Sequence, residues 1–589
     1  MAAFVRLPDG WDLTIQVNFC KNVQCANFGV PPSLAKGQHR SKVPSDTPGI
    51  AYTLSGAGSS KTSKSKLKLR CDLCKETPPV KSNEGIVRDI ERIVEYATVP
   101  GPVSCPVVSC TNHGQPFSHA RYLSWGKNSQ GSQRWKCRAC GKTFAEPLRT
   151  TIRQRKPEKN VIIYNLLVNK SPIKRICEVA DIAPKTFYDK FDFIHRRSLA
   201  FAGKFDRLIP ALALDRLYIA VDRQDYVLNW AARKDKRNET LSGLGSADLT
   251  SGFVFGIHLN FDSRLDSAVV EADAVAADDP AKEPPLRKYS WLLLEADYDA
   301  NTAEAARRRR ARGYPSTLAA DIAATYVEAS GRDDIEEAIA LSKEQKLPKN
   351  GMQVRADYTL YAHFFWLKAL LRNVGKVRFY MDQESGIRAA CLSAFAPEIQ
   401  AGRCDAFYAR LGKEMTVDQK RRVKQKAEKR FRAYSDANPG LSTVEVKVEM
   451  MKEEMRRAAS VGEWSDRWVV HPWPDSAEPE KALCYLTDRG DLDEDHLARL
   501  YLKGSLHAID RFFMLLRRRV SLLERSVSTA SKAGRTWHGY SPYDPANVQK
   551  ALDIFRTFYN FCFVGKDGKT PAMRLGLAER AYTASDILY

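Results

Sequence analysis

The rhythm of apolar and polar positions changes several times along this chain, and each change predicts an element. Over residues 156–169 apolar side chains recur at helical spacing. Ser171-Pro-Ile-Lys-Arg-Ile-Cys-Glu-Val-Ala180 starts with a capping residue and a proline suited to a first helical turn. Asp181-Ile-Ala183 reads as a short turn, and 184–197 as the next helix. The period then drops to that of strands. Leu217-Tyr-Ile-Ala-Val221 is an unbroken apolar run, and Asp222 follows at the point where the strand is expected to leave the core. Residues 226–230 and 253–261 predict two more strands of a meander. The Ala, Asp, Glu and Pro of 271–285 predict a surface loop, and 303–312 hold a dense Arg cluster. Leu360, Phe364, Leu367 and Leu371 form a helical core stripe, which leads into a second strand, 376–382, ending in Asp382.

Two hydrophobic strands each ending in a carboxylate place Asp222 and Asp382 side by side if the strands are neighbours, and paired carboxylates are what two Mg²⁺ ions need. The order strand, strand, strand, helix, strand is the start of a ribonuclease-H-like α/β fold. A further strand is expected at 405–411 and another around 468–473. Between them, 415–459 is a charged helical stretch broken near Pro439-Gly440. Its Lys420, Arg421, Arg422, Lys424, Lys426, Lys429, Arg430 and Arg432 would either track a DNA backbone or form a solvated face.

Composition narrows the partner. With 589 residues, 44% hydrophobic and 28% charged, the chain is long enough for several globular domains. Its formal net charge of +22 points to a polyanion, most simply nucleic acid, with a membrane surface as the alternative. The sequence has no 18-residue apolar run and no signal-peptide pattern, so a cytosolic protein is expected. In that compartment the thirteen cysteines suggest metal rather than disulfides.

The cysteines disclose a duplication. Cys20-Lys-Asn-Val-Gln-Cys25 precedes Ala-Asn27-Phe-Gly29, and Cys105-Pro-Val-Val-Ser-Cys110 precedes Thr-Asn112-His-Gly114. Each has a later partner, Cys71-Asp-Leu-Cys74 and Cys137-Arg-Ala-Cys140. Four thiolates in two close pairs suit a tetrahedral Zn²⁺ ion, so two zinc ribbons are expected, with His113 and His119 as bystanders. The Ser-, Gly- and Lys-rich stretch 44–66 reads as a flexible loop inside the first. The helical stretch after them has the plan of a helix-turn-helix, with Lys185, Thr186, Tyr188 and Lys190 placed to meet DNA; a plain helical hairpin is the alternative.

A third carboxylate is sought after residue 500. His507-Ala-Ile-Asp510-Arg-Phe-Phe-Met-Leu-Leu-Arg-Arg-Arg519 predicts a helix, with Asp510 on one face with His507 and Arg517. Glu524 is the rival. On one continuous helix the two would stand about 21 Å apart, too far to serve one metal pair.

Taken together, these motifs resemble bacterial insertion-sequence transposases of the DDE/DDD type. The stretch from Asp510 through Arg517 and Arg518 is similar to the family's acidic residue followed by aromatics and a basic pair. Gly539-Tyr-Ser-Pro-Tyr543, Tyr559-Asn560 and Thr570-Pro-Ala-Met-Arg-Leu-Gly-Leu577 resemble its C-terminal tail. The resemblance spans roughly 105–577. It implies a metal-binding triad of Asp222, Asp382 and Asp510, with two Mg²⁺ or Mn²⁺ ions, two structural Zn²⁺ ions, and DNA contacts that include Arg517 and Arg518. It implies Mg-dependent cleavage and strand transfer at transposon-end and target double-stranded DNA by a homodimer or higher assembly, in a bacterial cytoplasm near the nucleoid and away from membranes. Asp stands at the third position where many relatives have Glu, and the long gap between Asp382 and Asp510 implies a helical insertion. The expected domains are 1–100 and 101–150 (ribbons), 151–205 (helix-turn-helix), 206–413 and 466–589 (catalytic), and 414–465 (insertion). Two other readings stand beside this one: a zinc-dependent DNA-binding regulator or inactive transposase descendant, and a structure-specific nuclease of the same fold.

Overall fold

The computed structural model describes residues 2–7, 10–33, 49, 51–55, 67–97, 105–107, 109–113, 120–129, 132–145, 151, 154–229, 238–298, 350–412, 415–462, 466–474, 478–524 and 540–589. His119, Trp230, Gly539, the Arg cluster at 303–312 and most of the 44–66 loop lie outside these residues.

The chain opens with two hairpins, β1 (Ala3–Arg6) with β2 (Asp12–Ile15) and β3 (Tyr52–Ser55) with β4 (Lys68–Cys71). The helix Asn83–Ala97 follows, and then a three-stranded antiparallel sheet of β5 (Tyr122–Lys127), β6 (Gln133–Cys137) and β7 (Thr143–Ala145). Next come the helices Asn160–Leu167, Ile173–Ala180 and Pro184–Asp206. The main sheet begins with the meander β8 (Arg216–Leu228), β9 (Glu239–Asp248) and β10 (Val254–Leu259). The short strands β11 (Phe261–Asp262) and β12 (Met352–Gln353) pair with each other, and the helix Ala356–Leu370 leads on to β13 (Lys376–Asp382) and β14 (Cys404–Leu411). After the helices Val417–Ala437 and Thr443–Arg457 come β15 (Ser460–Val461), β16 (Asp466–Val470) and β17 (Lys481–Tyr485).

Among the described residues the main sheet is mixed, in the order β10-β9-β8-β13-β14-β17-β16-β15. β8, β13 and β14 run parallel, and the outer pairings are antiparallel. Both faces are covered, which is why β8 and β13 read as continuous apolar runs. Leu217, Ile219, Val221, Val377, Phe379 and Met381 face one core, with the helices Asn83–Ala97 and Ala356–Leu370. Tyr218, Ala220 and Tyr380 face the other, with Pro184–Asp206, the helix His507–Arg519 and the helix Ala546–Phe561.

Several expectations change. β8 does not stop at Asp222; it runs to Leu228 and absorbs the segment predicted as a separate second strand. The true second strand is β9, which lies in the glycine- and serine-rich Glu239–Asp248. The acidic loop expected at 271–285 starts inside a helix, Ser267–Ala276, capped by the Asp266 side chain on the amides of Ala268 and Val269.

The N-terminal region is not a free-standing module. Val5, Leu13, Ile15, Phe19, Phe28, Ile86 and Ile90 share one core with Leu360, Phe364 and Phe379. A buried ion pair, Lys81 Nζ to Asp357 Oδ2 at 2.5 Å, ties the two parts. The three helices from Asn160 to Asp206 likewise share the second core, through Phe193 and Ile194, and His195 bonds Asp553 at 2.8 Å. No helix among the described residues is long and apolar enough to cross a membrane.

Candidate active site and metal centres

The parallel ladder between β8 and β13 ends with Met381 opposite Val221, so Asp382 and Asp222 are the next residues on adjacent strands. Adjacent strands lie about 4.8 Å apart. Side chains alternate faces along a strand. Asp222 therefore shares a face with Ala220, and Asp382 with Tyr380; both lie on the face covered by the helix His507–Arg519. Asp222 is buried and Asp382 half-buried.

Opposite Asp222 on β9 stands Gly245. A Cβ there would come within 2.8 Å of Ile509 Cδ1 and 2.9 Å of Phe513 Cζ. The glycine is what lets the helix that carries Asp510 settle directly beside Asp222. The same helix reaches further along β8, where Arg517 Nη1 donates to Gln224 Oε1 at 2.7 Å. Asp510, adjacent to Ile509, is half-buried. Gly245→Val should cost roughly 1–3 kcal/mol in denaturant unfolding, the usual range for overpacking. The cost arises because the added side chain pushes this helix off the sheet.

Glu524 stands elsewhere. The helix ends at Arg519, and Glu524 pairs with Lys170 Nζ at 2.6 Å beside the three-helix unit. That pair is well exposed, so Glu524→Ala should shift stability by less than about 1 kcal/mol. A thermal melt checks this.

Sequence reasoning missed Arg223. Its guanidinium binds Glu384 Oε1 at 2.8 Å and lies 3.8 Å from Asp225. Burial opposes its charge, but Glu384, Asp225, Asp222 and Asp382 together raise its pKa, so it stays protonated. Four carboxylates therefore act on one guanidinium at this end of β8 and β13. The visible signal was its place in the sequence, immediately after Asp222.

Of the residues expected to meet DNA, Lys185 and Tyr188 are exposed and Thr186 half-buried. Ile173–Ala180 and Pro184–Asp206 are joined by the predicted turn 181–183, with Asp181 in the left-handed region at φ 51°. Lys190 is a correction: it is buried, and its Nζ donates to Asn160 Oδ1 at 2.7 Å, so it locks the unit internally. Arg518 is exposed, and Arg517 is half-buried against Gln224.

Among the described residues, the groups of three or more metal-type ligand atoms lying within 4.8 Å of one another are Cys20, Cys25, Cys71, Cys74 and Cys105, Cys110, Cys137, Cys140. A zinc–sulfur bond of about 2.3 Å in a tetrahedron implies sulfurs about 3.8 Å apart. Cys20 to Cys74 is 3.3 Å and Cys25 to Cys71 is 3.8 Å; Cys105 to Cys140 is 3.4 Å and Cys110 to Cys137 is 3.7 Å. The hydrogen bond with Cys20 draws the Cys74 thiol down to about 5, whereas burial pushes Cys25 up to about 12. Both groups are thus suited to structural zinc.

The duplication extends beyond the cysteines. Tyr52 lies opposite Cys71, and Tyr122 opposite Cys137. Each tyrosine hydroxyl accepts from the first cysteine's amide, Cys20 or Cys105, and donates to the carbonyl of Asn27 or Asn112. Each Asn side chain donates to a cysteine sulfur, Cys71 at 3.4 Å and Cys137 at 3.3 Å. These tyrosines were not recognised in the sequence, because their distances to the cysteine pairs differ between the copies. His113 is not a ligand; its Nδ1 lies 2.7 Å from the Cys105 carbonyl oxygen.

The chain matches no protein-family model, no curated protein and no solved structure.

Proposed function

We propose that the protein is a DNA transposase of the DDE/DDD type, with a ribonuclease-H-like catalytic domain. The observation that carries this reading is the placement of Asp222 and Asp382 on adjacent parallel strands, facing the helix that bears Asp510. The order β10-β9-β8-β13-β14, an antiparallel meander whose first strand continues into two parallel ones, supports the ribonuclease-H-like assignment. Asp222, Asp382 and Asp510 would hold two Mg²⁺ or Mn²⁺ ions, which supply water activation and charge stabilisation at the leaving 3′ oxygen.

The chain's own residues do the rest. Arg223, paired with Glu384 and 3.8 Å from Asp225, offsets the negative charge of Asp222 and Asp382. Lys185, Thr186 and Tyr188 meet the transposon end, and Arg518 adds a phosphate contact. The exposed helix Val417–Ala437 presents seven further cations beside Arg430, which is engaged with Glu453 and Glu454. Two ends must be joined in one reaction, so at least two copies act together.

The test is an assay of the full-length, zinc-loaded protein on duplex DNA carrying the element's own ends, with Mg²⁺ or Mn²⁺. Cleavage followed by joining of the freed 3′ end is expected. Cleavage without joining would favour the nuclease reading, and binding without cleavage under either metal the regulator.

A further inference from the structure

The two cysteine units share a backbone plan, yet their surfaces have diverged at equivalent positions. We infer that the second unit alone presents a DNA-binding face, around Trp125, Arg138 and Lys142, while the first has become an internal brace of the catalytic body. The inference rests on the proposed action on DNA.

In the first unit, Glu76 follows the second cysteine pair. Its Oε2 accepts from the amides of Lys21 and Asn22 at 2.6 Å each, and its Oε1 lies 3.7 Å from Arg388 Nη1 of the catalytic body. The carbonyl of Phe28 accepts from Gln400 Nε2 at 2.7 Å, and Phe19, Val23 and Phe28 are buried in the main core. Gly29, at φ 74°, allows this contact: a Cβ there would meet Gln400 Nε2 at 2.9 Å.

Three of the duplicated positions carry different chemistry. Counted from the cysteines, Lys142 replaces Glu76, Arg138 replaces Asp72, and His113 replaces Phe28. Lys142, Arg138 and His113 are all exposed. The second unit closes on its own small core of Cys105, Tyr122, Trp135 and Cys137. Beyond Tyr122, β5 is exposed along its length, with Trp125 46% and Leu123 39% accessible. Lys136 Nζ sits 4.7 Å from the Trp125 ring centroid. Residues 105–145 contain six Lys and Arg, at 121, 127, 134, 136, 138 and 142, and no Asp or Glu. Cations spaced around an exposed aromatic match a phosphate backbone with a ring packed between sugars or base edges. An acidic protein would use the charges but has no need of the ring.

The test is fluorescence anisotropy of the full-length, zinc-loaded protein on a generic 40-bp duplex across a salt series. Trp125→Ala and the double variant Arg138→Ala/Lys142→Ala should each weaken binding tenfold or more. The double variant should also lower the salt slope by about 0.9 for each phosphate that it no longer neutralises. Zinc content and melting temperature should match wild type. Arg70→Ala/Lys75→Ala on the first unit should bind as wild type. Second-unit variants that bind like wild type, or an equally weakened first-unit variant, would overturn the inference. So would preferential binding of a poly-glutamate peptide to this face. No cleavage is read, so a chain that binds here but never cuts refutes the catalytic reading alone.

Discussion

Asp222→Ala and Asp382→Ala are each expected to lose metal-dependent strand cleavage by about 10³-fold or more, the scale seen when a group essential to the chemistry is removed. Affinity for end DNA should stay within about threefold of wild type, because Asp222 is buried and Asp382 half-buried, whereas the proposed DNA contacts Lys185, Tyr188 and Arg518 are exposed. The fold should survive either change. Arg223 keeps Glu384 at 2.8 Å after either substitution, so no buried cation is left without a partner. The measurement is single-turnover cleavage of a labelled end, with anisotropy on the same DNA and a thermal melt of each variant. Asp510→Ala belongs in the same series and should fall with the other two. Glu524→Ala should not, given its position against Lys170. An active Asp382→Ala with normal metal dependence would remove the proposed site, whatever the outcome for DNA binding.

How much of this site the sequence disclosed depends on how each strand is buried. β8 and β13 are covered on both faces, so their apolar runs were plain, and the carboxylates after them stood out against the hydrophobicity. β9 was invisible for a physical reason. A Cβ on Gly243 would meet Tyr226 at 3.0 Å, and one on Gly245 would collide with Ile509 and Phe513. The strand is therefore built from residues that by propensity argue against a strand, because its neighbours need the space. The end of β8 was misplaced since only the ladder with β13 stops there, at Val221, while β9 continues to pair with β8 as far as Leu228. Lys190 looked like a DNA contact on helical spacing, but spacing alone does not show which face the neighbouring helix Asn160–Leu167 covers. The helix His507–Arg519 was read with its correct bounds because its apolar face is regular. What no linear pattern could show was that this helix lies over Asp222, a contact between residues nearly three hundred positions apart.

Removing zinc should separate the two cysteine units by their effect on the whole molecule. Structural zinc contributes about 10–16 kcal/mol to the folding of zinc-finger peptides. In the first unit that energy would stabilise loops whose Phe19, Val23 and Phe28 belong to the main core and whose Glu76 lies against Arg388. Cys71→Ser should therefore lower the main unfolding transition by 10 °C or more, or leave the chain insoluble, and reduce bound zinc from two to one per chain. Cys137→Ser should also lose one zinc ion, but it disrupts a core of four residues that is distinct from the main one. Its main transition should stay within about 2 °C of wild type, and its near-ultraviolet spectrum should change only by the contribution of the second unit's own aromatics, Tyr122, Trp125 and Trp135. Differential scanning calorimetry with zinc quantified by atomic emission makes both comparisons. Equal losses from the two variants would mean that the second unit is also built into the main body. A Cys71→Ser protein that melts like wild type would mean that the buried apolar contacts of the first unit hold it in place without a metal ion.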